Sequence, residues 1–461
     1  MKLLIVLVLV AALAVGGVLL ARHDERPEWT TDSPAAAAAL EEAIAARQGF
    51  YVGEALAQLE KALALDPDFV VPRLELINLR RFGVVDSERV ERLIEELRQA
   101  DLDRLTPRER LLVGYYLAQI DHDRERATAL LEAHLAEHPD DPYAVALECG
   151  RHWGAERVAE AEACYRRLIR LEPNWVEAQN HLGYLAMARG DFADAEEQFE
   201  IYRYLAPDQA NPHDSLGELL MLTGRWEEAE TELRRALELK PDFCVSWMHL
   251  TDLALLEGDP TLADEILAEA READGCPPAE LAAVGCKVRV MEGVSRSWEA
   301  AYEAARGCDE LYGQAEVFAM RAAAATGHAD FADERQGKYE ERVAETEGGD
   351  PQSRAMLDHL IGARRLEEGD AAAAVEALGA ADERLTYFGG ELAVFKLYNR
   401  LLLAEALRAA GRAEEAAALQ AEVREVNPRM ALPSPSAASG AAAGGPPGAG
   451  AGRSREAPSA P

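Results

Sequence analysis

The chain has 461 residues, 49% of them hydrophobic but only 6% aromatic, enough apolar side chain for a large core. Its formal net charge is −35, from 83 acidic and 48 basic residues, and no local basic patch offsets it. That balance repels a phosphate backbone, excludes nucleic acid as a partner, and biases encounters toward basic or neutral surfaces. Ala, Leu, Glu and Arg dominate, and these side chains lose little rotamer freedom in a helix.

Residues 3–21 carry no charged or polar side chain, with Lys2 before them and Arg22 and Arg26 after. As a helix this run would be about 28 Å long, close to the apolar thickness of a bilayer. A signal-peptidase cut after Ala14 would leave apolar residues on the mature chain, and a cut after Ala21 would place bulky Leu19 where a small side chain is preferred. An uncleaved signal anchor over residues 1–22 is therefore expected, with a cleaved signal peptide as the alternative. No Cys follows the run, so a lipid anchor is not indicated. The flanking charges nearly cancel and do not fix the orientation.

Beyond it the chain repeats. Pro139, Pro173, Pro207 and Pro241 stand 34 residues apart. Residues 182–207 and 216–241 align without a gap, and residues 250–275 follow the same pattern. Leu182, Leu216 and Leu250 are core positions of a first helix. Gly183 and Gly217 leave room for a second helix, and Gly190, Gly224 and Gly258 end the first one in the left-handed region. Ala195, Ala229 and Ala263 are small where the second helix crosses, with Phe199, Leu233 and Leu267 one turn on.

These residues and this spacing resemble the tetratricopeptide repeat. Parts of the pattern recur at Ala55, Leu59, Ala62 and Pro67, at Ala127 and Leu131, and at Ala161 and Tyr165. They return at Gly362, Gly369, Ala374 and Leu378, and at Gly411, Ala416 and Pro428. The resemblance implies an all-α, α-α superhelical solenoid of stacked hairpins over residues 36–430. Its best repeats lie at 108–277, with more at 353–430. Residues around 70–106 and 278–350 depart from the pattern, and hairpins there rest on amphipathic runs and Gly/Pro breaks. Segments 105–112 and 210–218 resemble repeat modules of bacterial signalling kinases and cyclases, though no catalytic segment accompanies them. Residues 431–461 are Ala, Gly, Pro and Ser and are expected to be disordered.

Signals for chemistry are weak. His134, Glu137 and His138 fit the H-x-x-E-H order of inverted zinc peptidases, but they fall in the last turn of a repeat's second helix, just before Pro139. Asp121, His122 and Asp123 read as a hairpin turn. No nucleophile elbow, phosphate loop or Cys-x-x-Cys pair occurs. Neither an enzyme, a cofactor, a metal nor a small-molecule substrate is expected.

Six cysteines fall in three pairs about hairpin turns: Cys149 with Cys164, Cys286 with Cys308, and Cys244 with Cys276, the last at the open end of its hairpin, where helices splay. Disulfides at these pairs would place the repeats in an oxidising space, while isolated small buried residues are the alternative.

By the resemblance, first helices line a concave groove. Its registers contain Trp153, Met187 and Met221; Tyr184, Glu218 and Asp252; Asn180, Asp214 and Met248; and His181, Ser215 and His249. Met and aromatic side chains suit adaptable apolar contact, and the acids suit a basic segment. The expected partners are thus other proteins or peptide segments, basic or apolar, and the membrane through the N-terminal helix. The expected role is a membrane-anchored scaffold in the bacterial envelope with its repeats on the periplasmic side. The alternative role is a regulatory or sensory subunit of a separate signalling enzyme. A protein secreted to the periplasm and a cytoplasm-facing one are the alternative placements.

Overall fold

The computed structural model describes residues 29–435, apart from 83, 156, 274, 312, 346–350, 388–390 and 434. The apolar run at 3–21 and most of the tail at 431–461 lie outside the described residues. Among the described residues no helix is long and apolar enough to cross a membrane. They contain 22 α-helices, two short 3-10 turns and no strand. The fold is the all-α solenoid of stacked helical hairpins.

The hairpin Ala210–Leu222 with Trp226–Leu239 shows how the sequence produces the unit. Leu216, Ala229 and Leu233 are all buried. A Cβ on Gly217 would stand 2.8 Å from the Leu233 side chain, so the missing side chain sets how closely the two helices approach. The same device recurs at Gly362, where a Cβ would stand 2.4 Å from Leu378. Burying each such leucine contributes about 1.5–3 kcal/mol. Gly190, Gly224 and Gly258 have φ of 76°, 79° and 77°, and each sits between the two helices of its hairpin.

The described residues divide into two compact units: residues up to Leu185 with 204–206, and residues 186–203 with those from Pro207 onward. In the first unit, hairpins Pro34–Gln48 with Val52–Leu65, Pro107–Ile120 with Arg124–Glu137, and Pro142–Gly154 with Val158–Leu171 follow the repeat pattern. The irregular stretch around 70–106 holds Val70–Asn78, a 3-10 turn at Leu79–Phe82, Ser87–Arg98 and a second 3-10 turn at Leu102–Arg104. It still buries Phe69, Leu74, Leu76 and Leu97 in one core with Leu40 and Leu59.

The start of this unit is pinned. Trp29 is buried. The Thr30 backbone N–H donates to Glu109 Oε1 at 2.8 Å, and the Thr106 N–H donates to Thr30 Oγ1 at 3.1 Å. Thr106 and Glu109 form the capping box of Pro107–Ile120, so residues 29–33 are held by the same groups that begin that helix.

In the second unit, residues 278–350 form the long helix Pro278–Arg296 with the short Trp298–Arg306, then Gln314–Thr326 with Ala329–Glu345. The hairpins Pro351–Glu367 with Ala371–Arg384 and Glu391–Ala409 with Ala413–Val426 follow. The chain end then returns to the first repeat of this unit. Asn427 Nδ2 donates to the Met221 and Leu222 carbonyls at 3.4 and 3.0 Å, satisfying groups that a helix C-terminus leaves open. Arg429 pairs with Glu227 at 2.8 Å, and its guanidinium lies 4.0 Å over the Trp226 ring.

Ala229 is fully buried where its helix crosses its partner. Ala229→Phe should cost about 1–3 kcal/mol by overpacking. A melting temperature equal to that of the parent protein would contradict this packing.

Candidate functional site

Each unit has an inner face made by its first helices, and the two faces differ. In the first unit they surround a cavity of about 810 Å³. Side chains reach it at helical spacing: Val71 and Glu75, Leu112 and Tyr116, Tyr115 and Gln119, Tyr143, Leu147 and Arg151, and Glu177 and His181. Trp29 and Trp175 line it as well. Gly150 and Gly154 line it too, and a Cβ on either would meet nothing within 4 Å, so the wall is kept low there.

Aromatic rings support this wall. Trp29 and Tyr143 pack edge to face at 5.3 Å, as do Tyr143 and Trp175. Arg108, held by Asp141 at 3.0 Å, lies 4.6 Å over Tyr143. The Tyr165 ring stacks on His181 at 4.6 Å, and Trp153 meets the same imidazole edge to face. On the floor Arg47 Nε lies 2.9 Å from Glu75 Oε2. Burial works against the Arg47 charge, but Glu75 and Glu177 more than restore it and raise its pKa. Burial pushes the Tyr116 hydroxyl up to about 12, so it stays protonated at neutral pH.

The second unit leaves less open space on its inner face. Its cavity is smaller, about 230 Å³, and Val394 from the penultimate helix lines it beside Met221, Met248, His249 and Asp252. Asp214, Ser215, Glu218 and Met221 are buried. Ser246 Oγ donates to Asp214 Oδ1 at 2.6 Å, and His249 Nδ1 lies 3.1 Å from the same oxygen. Lys287 Nζ lies 2.8 Å from Asp252 Oδ1. The acids read from the sequence as facing a basic partner are thus engaged by the chain's own residues. Asn180 and Met187 are buried, while Trp153, His181, Tyr184, Met248, His249 and Asp252 keep part of their surface.

The six cysteines form three disulfides, and none is free among the described residues. Cα separations are 5.3 Å for Cys149–Cys164, 5.8 Å for Cys286–Cys308 and 4.9 Å for Cys244–Cys276. The pair read as sitting where helices splay is therefore the closest. Gly275 explains the approach, since a Cβ there would stand 2.1 Å from the Asp242 carbonyl oxygen. The H-x-x-E-H residues are not arranged around a metal. His134 Nε2 lies 2.9 Å from Asp141 Oδ2, while Asp141 Oδ1 accepts from the Tyr143 backbone N–H, and no metal-binding group occurs among the described residues.

Residues 212–243 match the family profile for the tetratricopeptide repeat. No curated protein sequence matches the chain. Among solved structures, PilW, described as a widely conserved type IV pilus biogenesis factor, is similar at 20% identity over 42% of this chain and 88% of its own, with a TM-score of 0.35. A tetratricopeptide repeat protein from Parabacteroides merdae is similar at 14% identity over 62% and 96%, with a TM-score of 0.37. The Cut9–Hcn1 hetero-tetramer of APC/C is similar at 12% identity over 85% and 74%, with a TM-score of 0.46.

The His249 site yields a pH test. Burial alone would lower this imidazole, but Asp214, helped by Glu218 and Asp252, pushes it up to about 9 from 6.5. A raised folded-state pKa contributes stability that is full below pH 6.5 and lost as pH rises through 9, up to about 3 kcal/mol. The melting temperature should fall across that window, and Asp214→Asn should flatten the fall. An unchanged slope in the variant would show that this pair is not its source.

Residues 212–243 thus carry a tetratricopeptide repeat, and the period of 34 residues and the close-packed hairpins continue its pattern through the neighbouring described residues.

Proposed function

We propose that the protein is a membrane-anchored scaffold of the bacterial cell envelope, with its repeats on the extracytoplasmic side, and that it holds a segment of a partner protein in the cavity of its first unit. Tetratricopeptide-repeat proteins bind other proteins or peptides and are generally non-catalytic scaffolds. The observation that carries the proposal is the contrast between the two inner faces: one open around about 810 Å³, the other around only about 230 Å³. A cavity of that size, walled by aromatic rings with a few polar groups, suits side chains of a bound segment. The anchor rests on the apolar run at 3–21, and the compartment on the three cysteine pairs.

Gly150→Phe fills the cavity from a position where the fold leaves open space. Stability should hold or rise by up to about 1 kcal/mol, because glycine disfavours a helix interior. Affinity capture from solubilised membranes should recover a partner with the parent protein and lose it with this variant. The same proteins captured by both would sink the assignment of the cavity. Thiol labelling of intact cells tests the compartment separately. No label should enter Cys149, Cys164, Cys286 or Cys308 before reduction, and full labelling would place the repeats in the cytoplasm.

A further inference from the structure

The charges around this cavity select among peptide segments. The molecule as a whole is strongly acidic, yet three arginines line the cavity: Arg47, Arg124 and Arg151. Two carboxylates oppose them, and one of these, Glu75, is engaged by Arg47. Arg124 is exposed at the rim and makes no ion pair or side-chain hydrogen bond with any described residue. Among the described residues Arg151 has a single ion pair, 3.6 Å from the exposed Glu132, and its buried Nε–H has no acceptor. The indole N–H of Trp29, another lining residue, is buried without an acceptor as well. His181 Nδ1 is a third such lining atom, able to donate or to accept, while the Arg151 and Trp29 N–H groups are donors only, so a complementary ligand supplies them with acceptors. The acids that pointed toward a basic partner lie elsewhere, and Asp214 and Asp252 are engaged there by Ser246, His249 and Lys287.

Resting on the reading of this cavity as a peptide site, we infer that the segment it takes is acidic: a carboxylate meets Arg124 and Arg151, and a neighbouring aromatic or large aliphatic side chain packs against Tyr115 and Tyr143. Arginine presents a planar fork of donors that matches a carboxylate. Tyr115 and Arg151 line the same cavity, so one segment can reach an apolar and an anionic subsite together. The net charge of −35 acts against an acidic partner at long range. Salt screens that field within about 8 Å at physiological ionic strength, so the groups inside the cavity decide the contact.

Calorimetric titration of the full chain tests this with three blocked hexapeptides. They share one Phe and one Leu and carry Glu, Gln or Lys at the two other interior positions. The Glu peptide should bind about tenfold tighter than the Gln peptide, the scale of one charge-assisted hydrogen bond, and the Lys peptide should bind weakest. Arg124 is exposed, so Arg124→Glu leaves the fold intact. It should abolish the preference for Glu while holding the Gln peptide within about twofold, because an exposed charge contributes little to a neutral ligand. Equal binding of all three peptides, tighter binding of the Lys peptide, or an unchanged preference in Arg124→Glu would overturn the acidic assignment and leave the cavity a peptide site. Failure of all three to bind would remove the peptide reading and the inference with it. Binding of phosphatidylglycerol vesicles in place of peptide, lost in Arg124→Glu, would overturn it in favour of a lipid headgroup.

Discussion

The close approach of the two helices in a hairpin is the constraint on which the rest depends. At Gly217 and Gly362 a single Cβ would collide with the leucine that fills the crossing, Leu233 or Leu378. With that contact made, both helices bury one face against each other and leave a second face for the neighbouring hairpin. A unit of 34 residues cannot cover both faces alone, so it is stable only in a stack. Stacking in turn lines up the first helices side by side. Within each unit their inner residues, spaced three and four apart, face a shared space whether or not anything binds there.

What happens in that space separates the two units. In the second, less of it is left open. Val394 lines the remaining cavity with Met221, Met248 and His249, while Asn427 caps the carbonyls of Met221 and Leu222. Gly224 accommodates this return of the chain, because a Cβ there would stand 2.6 Å from Asn427 Oδ1. Buried acids need partners, and Asp214 and Asp252 find them in Ser246, His249 and Lys287. In the first unit Gly150 and Gly154 face open space and Arg124 has no described partner. An inner face left with open volume and unengaged donors can still do work on a ligand, and a satisfied one cannot without first giving up its own contacts.

The repeat was legible because its signals are local. Gly190, Gly224 and Gly258 announce helix ends through one backbone angle, and Ala195, Ala229 and Ala263 announce crossings through size alone. The site was less legible. The registers of Asn180, His181 and Tyr184, carried back by 34 residues, reach Ala146, Leu147 and Gly150, and carried back by 68 the first and last reach Leu112 and Tyr116. Those positions line the cavity, and the sequence offered no reason to prefer them over their equivalents further on. How much of a register stays open depends on residues as distant as Val394, well over 100 positions along, and periodicity carries no information about that separation.

The cysteines join the two scales. Cys149 occupies the position that Gly183 and Gly217 hold in the next repeats, the one where helices approach most closely. A pair of Cα atoms must come within roughly 4.4–6.8 Å to be bridged. The Cys149–Cys164 separation of 5.3 Å meets that limit because the hairpin already demands a short approach there. A disulfide at this point restrains a contact the fold makes anyway, so it limits the unfolded chain without distorting the folded one. Closing a loop of 15 residues is worth about 3 kcal/mol by chain entropy. The restraint falls one residue from the open wall at Gly150 and one from Tyr165, which stacks on His181. The bond therefore stiffens the part of the first unit where a bound segment would meet its aromatic wall, and a stiffer wall loses less entropy when a ligand is held against it.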